Sequence, residues 1–143
     1  MRLFIIPLLV MVLVQGIKLL LEAARGNFSW EHLNNYGGMP SAHAALASSL
    51  ATILFIDRGW DDTALAVSII LFFIVVRDAT GFRRQLGLHA KLINMVVKDL
   101  DRAKEYKYPV LNERLGHTPW QVTVGTISGV ILTFLLAYGL PYF

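Results

Sequence analysis

Four long apolar runs constrain this chain more than any other feature of its sequence. They cover residues 3–21, 40–56, 63–76 and 118–140, and most charged residues lie between them. About 20 mostly apolar residues can cross a bilayer as a helix, in which the backbone polar groups are paired internally. The sequence therefore predicts an all-α integral membrane protein, a bundle of about four transmembrane helices.

Composition agrees with a membrane location. Of the 143 residues, 55% are hydrophobic and 16% are charged, and the length suits one membrane-embedded domain over residues 1–143. The chain has no cysteine, which excludes disulfides and thiolate metal sites. Its four scattered histidines lack the paired spacing of a zinc site. We expect no metal, no cofactor and no nucleic-acid partner.

The first apolar run allows two interpretations. Arg2 before an apolar stretch also resembles the start of a secretory signal peptide, but the run is long for one and contains Lys18. In a spanning helix, Lys18 and Arg25 share one face if the helix persists. The alternative for Lys18 is an ordinary lysine whose ammonium extends to the membrane interface.

Residues 37–43, with the sequence GGMPSAH, indicate an anion site. Pro40 suits the first position of a helix, which places Ser41 and His43 in the first turn. Free backbone N–H groups and the positive end of the helix dipole point outward there. These groups suggest a site that handles phosphate. The alternative is a capped helix with an idle histidine.

The second and third runs have different characters. The second is rich in alanine and serine, which let helices approach closely in lipid, so this helix should be central. The third leads directly into a group of ionisable residues. These are either functional groups or ordinary positive flanking charge. They are Arg77, Asp78, Arg83 and Arg84.

Residues 85–104 predict an amphipathic helix that lies at the headgroups or caps the bundle. Its apolar stripe consists of Leu86, Ala90, Ile93, Val97 and Leu100.

The last run begins with a helix-start signal. Thr118 and Gln121 have the spacing of a capping box, with Pro119 at the first helical position, so His117 lies just before the helix. Further along, two glycines at residues 125 and 129 form a G-x-x-x-G packing face.

Topology brings the chemically active residues to one membrane face. Four spans place both termini on the other side, where only Arg2 and Arg58 of the 13 Lys and Arg fall. Setting aside Lys18, Arg25, Arg77, Arg83, Arg84 and Arg114 as possible site residues leaves five Lys and Arg on the connector side. Five against two still favours that side, so the positive-inside rule places it in the cytoplasm. The residues expected to meet there are Lys18, Arg25, Ser41, His43, Asp78, Arg83, Arg84, Arg114 and His117.

These residues resemble the motifs of the type-2 phosphatidic acid phosphatase superfamily, which includes vanadium-dependent haloperoxidases. Nearly the whole chain is similar to its divergent, bacterial-type branch, most specifically at residues 37–43 and 78–84. Lys18 and Arg25 match the first motif, K-x6-R-P, with Gly26 in place of the proline.

The other two motifs are matched with substitutions. The sequence PSAH at residues 40–43 resembles P-S-G-H, and His117 resembles the histidine of S-R-x5-H-x3-D. Gln121 stands in place of that motif's aspartate, and Leu111 in place of its arginine.

A rival alignment uses Arg83 and His89, which have the same R-x5-H spacing, but position 93 is isoleucine and no span follows. We prefer His117 because it precedes a proline-started helix.

The resemblance implies a mechanism. His117 would attack phosphorus to form a phosphohistidine, and His43 would protonate the leaving oxygen. Gln121 could orient the His117 ring, or Asp78 or Glu113 could supply the missing carboxylate. Arg114 either replaces the motif arginine or is an ordinary loop charge. The groups that would hold the phosphate are Lys18, Arg25, Ser41, and Arg83 or Arg84.

The implied function is a membrane phosphatase acting on a lipid phosphate or diphosphate, in the bacterial inner membrane, with membrane lipids as its surroundings. A non-catalytic lipid-phosphate binder or carrier is the first alternative, favoured by Gln121 and Leu111. A small structural membrane subunit whose charges only set topology is the second. Four spans are few for this superfamily, which leaves room for a homodimer whose second copy supplies part of the site wall.

Overall fold

All regular structure in the described part of the computed structural model is helical, as predicted. The structure describes residues 1–24, 26, 38–100, 108–113 and 115–139. The elements are α1 (Arg2–Ala24), α2 (Ala42–Arg58), α3 (Thr63–Arg77), a π-helical turn (Asp78–Phe82), α4 (Arg83–Asp99) and α5 (Pro119–Gly139).

Helix α2 is the centre of the bundle and packs against α1, α3 and α5. Small residues make this contact close. An added Cβ on Gly125 would clash with the backbone of Ser41, and one on Gly129 would lie 2.5 Å from the Ala45 carbonyl oxygen. Ser48 donates across the same interface to the carbonyl of Thr126 at 3.2 Å. The predicted central position of this helix and the G-x-x-x-G packing face are therefore confirmed.

Among the described residues, three helical stretches are long and apolar enough to span a membrane: α1, the continuous run Thr63–Asp99, and α5. The predicted count of about four is not confirmed, because α2 has 17 residues, about 25 Å of helix. Arg2 and Asp57 form an ion pair at 3.1 Å, so α1 and α2 are antiparallel.

The prediction that Pro40 begins the second helix is wrong. Ser41 is the N-cap, with extended dihedral angles (φ −79°, ψ 111°), and its hydroxyl accepts from the Ala44 N–H at 3.4 Å. The first helical residue is therefore Ala42, because a side chain that caps a helix must lie just outside it. His43 stays in the first turn, as predicted.

Helix α4 departs from its predicted pattern. It begins at Arg83, continuous with α3 through the π turn, and residues 101–107 lie outside the described part of the chain. Of the predicted apolar stripe, Ala90 is buried, whereas three large members are about half exposed. The stripe does not cover the bundle, because in lipid an apolar face can equally point outward. The exposed members are Leu86, Ile93 and Leu100.

Candidate functional site

The segment before α5 carries His117 into the bundle. Its backbone N–H donates to the Ala79 carbonyl of the π turn at 2.9 Å, and only 7% of the residue is exposed. Helix α5 begins two residues later, at Pro119, as predicted. The start of α5 is also tied to α2, because the Ser41 N–H donates to the Gln121 carbonyl at 3.3 Å.

Gly116 allows this segment to touch the start of α4. Its φ is +89°, and an added Cβ would lie 2.5 Å from the backbone nitrogen of Arg84 and 2.6 Å from its Cα. Both the left-handed conformation and the close approach require glycine. Arg84 thus contributes its backbone to the position of the neighbouring His117.

We expect Gly116→Ala to destabilise the protein more than Gly26→Ala. Gly26 is a matched control, since it also has positive φ (+72°) but has no atom of the described residues within 4 Å of an added Cβ. The strained backbone alone costs about 1 kcal/mol, and forcing atoms into a packed contact adds about 1–3 kcal/mol. Thermal unfolding in detergent micelles measures the difference, and equal melting temperatures for the two variants would refute the close contact.

Asn94 of α4 holds the connecting segment from the other side. Its amide donates to the Leu111 carbonyl at 2.9 Å and to Glu113 Oε1 at 2.8 Å, while its oxygen accepts from the Leu111 N–H at 3.0 Å. Two turns before Asn94 in α4, an added Cβ on Gly87 would lie 2.8 Å from the Leu115 carbonyl oxygen.

Sequence reasoning missed both Asn94 and Gly87. The available signal was a stripe of small or polar residues, at positions 87, 90 and 94, which is the buried face of α4.

Lys18 turns into the protein. It is 4% exposed, and its Cε and Nζ lie 2.7 and 3.3 Å from where a Cβ on Gly38 would stand. Glu22 Oε1 lies 3.0 Å from the same point. Burial of the side chain favours a site residue over an ordinary lysine whose ammonium extends to the membrane interface. The ammonium lies beside the glycine that leads into α2.

His43 faces the charged residues of two other elements. Arg83 and Asp78 form an ion pair at 2.5 Å between Nε and Oδ2. Both act electrostatically on His43, and so does Lys18. The ends of α1 and α3 and the starts of α2 and α4 thus meet at one end of the bundle, together with His117.

His117 is a neutral imidazole at neutral pH. Burial, and then the positive charges of Lys18, His43 and Arg83, lower the pKa of His117 from 6.5 to about 4. A neutral ring keeps a nitrogen lone pair available for nucleophilic attack. The same cations that disfavour its protonation would attract an anion to it.

No carboxylate of the described residues accepts a hydrogen bond from Nδ1 of this ring. His117 Nδ1 is buried without a hydrogen-bond partner there. The predicted role of Gln121 is wrong in this respect, because its side-chain oxygen accepts from the Thr118 N–H at 2.9 Å and completes the predicted capping box. Asp78 pairs with Arg83, and Glu113 accepts from Asn94.

The remaining predicted residues fall into three groups. Ser41 is fully buried, and its hydroxyl is used in capping α2. The side chains of Arg84 and His89 are exposed on α4. His89, the histidine of the rival alignment, is therefore not buried as His117 is. The positions of Arg25 and Arg114 lie outside the described residues.

The arrangement suits a tetrahedral oxyanion. Lys18, Arg83 and His43 all act electrostatically on His117, so several oxygens of a phosphate bound beside this ring could be neutralised at once. Within the described residues, no group of three or more His, Asp or Glu is placed to hold a metal ion.

Fold and site together define a helical membrane protein with a histidine and cation cluster at one end of its bundle. Comparison of the sequence with known families gives a more specific result: residues 1–132 match the Divergent PAP2 family, and the chain belongs to that family. It is 38% identical, over 120 residues, to a Bacillus subtilis (strain 168) protein named "Uncharacterized membrane protein YuiD", covering 76% of each chain. No solved structure matches the chain.

Proposed function

We propose that this protein is a membrane phosphatase that hydrolyses a lipid phosphate or diphosphate through a phosphohistidine. The observation that carries the proposal is a buried neutral His117 facing the cations Lys18 and Arg83 and a second histidine, His43. Phosphoryl transfer depends mainly on positioning and on stabilising charge at three equatorial oxygens, which this cluster can supply.

Each residue of the cluster has a role in this reaction. A nitrogen of His117 attacks phosphorus, a P–N bond forms, and the P–O bond to the leaving group breaks as His43 donates a proton to that oxygen. Water then attacks phosphorus and gives a proton to His43, the P–N bond breaks, and inorganic phosphate leaves, which restores protonated His43 and neutral His117. Lys18 and Arg83 hold the phosphoryl oxygens throughout, and Arg25 and Arg114 are proposed as further contacts from the adjoining connectors.

We place the site at the cytoplasmic face of a multi-pass protein in the cell membrane. Most Lys and Arg residues lie on the connector side of the chain, and this side carries the cluster. The opposite end of the bundle carries the Arg2–Asp57 ion pair.

A non-catalytic binder or carrier of lipid phosphate is the second candidate. It is favoured by the missing orienting carboxylate, since His117 Nδ1 has no partner among the described residues. A comparable loss in the serine-protease triad slows turnover by about 10⁴-fold.

Phosphate release from phosphatidic acid by the purified protein in mixed micelles decides between the two candidates. Release that depends on His117 supports the phosphatase. Retained binding of phosphatidic acid without release supports the carrier, and a protein that neither binds nor releases phosphate contradicts both.

A further inference from the structure

An apolar groove of about 290 Å³ runs from His43 along α2 between α1 and α3. Its walls are apolar, and His43 supplies the polar group at one end. Phe4 and Leu71 on the groove are 73% and 44% exposed, so it opens sideways to the surroundings of the bundle. Residues that define its course are Pro7 of α1, His43, Leu46 and Leu50 of α2, and Leu71 and Val75 of α3.

Two other apolar grooves provide a comparison. One, of about 300 Å³, lies between α2, α3 and α5 and is bordered by Trp60, Ile69 and Phe134. The other runs along α2 and α3 past Leu54 and Ser68. Neither is lined by His43, so apolar surface alone does not single out a ligand site on this bundle.

The groove at His43 differs because it is continuous with the cationic cluster. His43 lines the groove and also interacts electrostatically with Lys18 and Arg83. A molecule with its anionic end at the cluster and an apolar chain in the groove would match both surfaces. From His43 to Leu50 the groove follows seven residues of α2, or about 10 Å.

We propose that this groove holds one hydrocarbon chain of the phosphate-bearing lipid, which enters sideways from the bilayer between α1 and α3. The inference rests on the proposed function for the identity of the headgroup. The groove volume is at the lower end of the roughly 300–1,000 Å³ typical of small-molecule pockets, which fits one chain and leaves a second chain in the membrane. The site is therefore expected to prefer a lipid phosphate monoester over a water-soluble phosphate.

Photo-crosslinking tests the groove without requiring turnover. Two probes carry the same diazirine-labelled acyl chain, one on phosphatidic acid and one on phosphatidylcholine, and labelled peptides are mapped by mass spectrometry in nanodiscs. We expect phosphatidic acid to label Pro7, Leu46 and Val75, which line this groove and neither of the other two, about tenfold more than phosphatidylcholine does. Equal labelling by both probes, or stronger phosphatidic acid labelling near Trp60, would overturn the proposal.

A pair of variants on α3 serves as a matched test. Leu71→Trp fills the groove at His43, whereas Ile69→Trp fills the groove of similar volume beside α5. We expect Leu71→Trp to lower groove labelling, and the ratio of kcat/KM for a long-chain over a short-chain phosphate, by about tenfold. Ile69→Trp should change neither quantity.

The outcomes separate this inference from the proposed function. Selective labelling of the groove without hydrolysis supports the proposed lipid-binding groove and rejects the proposed phosphatase activity. Hydrolysis that is insensitive to Leu71→Trp, together with labelling outside this groove, rejects the proposed lipid-binding groove and supports the proposed phosphatase activity.

Discussion

Replacing His117 with alanine is expected to lower phosphate release by on the order of 10³-fold or more, since removing a nucleophile leaves only positioning and charge stabilisation. The wild-type protein should also form a phosphoenzyme that is labile in acid and stable in alkali, the signature of a P–N bond. The variant should not form it. Rapid quenching with radiolabelled phosphatidic acid measures both quantities.

His89→Ala is the matched control, because His89 is an exposed histidine on α4 with the rival motif spacing. It should retain wild-type turnover and phosphoenzyme. The pH profile adds a second check: with the His117 pKa at about 4, its protonation should reduce kcat/KM only as pH falls towards 4 and not near 6.5. Loss of activity in His89→Ala with retention in His117→Ala would reverse the assignment.

Replacing Lys18 with methionine is expected to lower kcat/KM for phosphatidic acid by about 10- to 100-fold. Lys18 is 4% exposed and acts on both histidines, so its ammonium is placed to hold a phosphoryl oxygen. A hydrogen bond to a charged group contributes about 1.5–3 kcal/mol, which corresponds to this range. Steady-state hydrolysis in mixed micelles measures the effect.

Two companion variants separate charge from folding. Lys18→Arg keeps the positive charge beside Glu22 and should recover much of the lost activity, whereas Lys91→Met removes an exposed lysine on α4 and should have no effect. Melting temperatures of all three show whether each variant is folded. Full activity in folded Lys18→Met would exclude Lys18 from the phosphate site.

The sequence was informative where one local rule determines the structure. Apolar runs predicted the helices, and the alanine and serine content of the second run predicted the central position of α2. The capping box at Thr118 fixed the start of α5 and with it the position of His117. Each of these features depends on residues within a few turns of one another.

Long-range contacts and the direction of side chains were not predictable in this way. The hydrogen bonds between Asn94 and Leu111 join residues 17 positions apart. The sequence around either residue does not specify the other as its partner. Lys18 could have pointed outward or inward, because a flexible stem permits both. For α4, periodicity predicted an apolar face but not whether protein or lipid covers it.

We propose that His43 and His117 share one oxyanion site with Lys18 and Arg83. Titration of orthovanadate, a tetrahedral phosphate analogue, into protein labelled with ¹⁵N-histidine tests it most directly. We expect the His43 and His117 resonances to shift together with one shared Kd, while the His89 resonances do not move. Shifts at neither histidine, or at only one of the two, would contradict it.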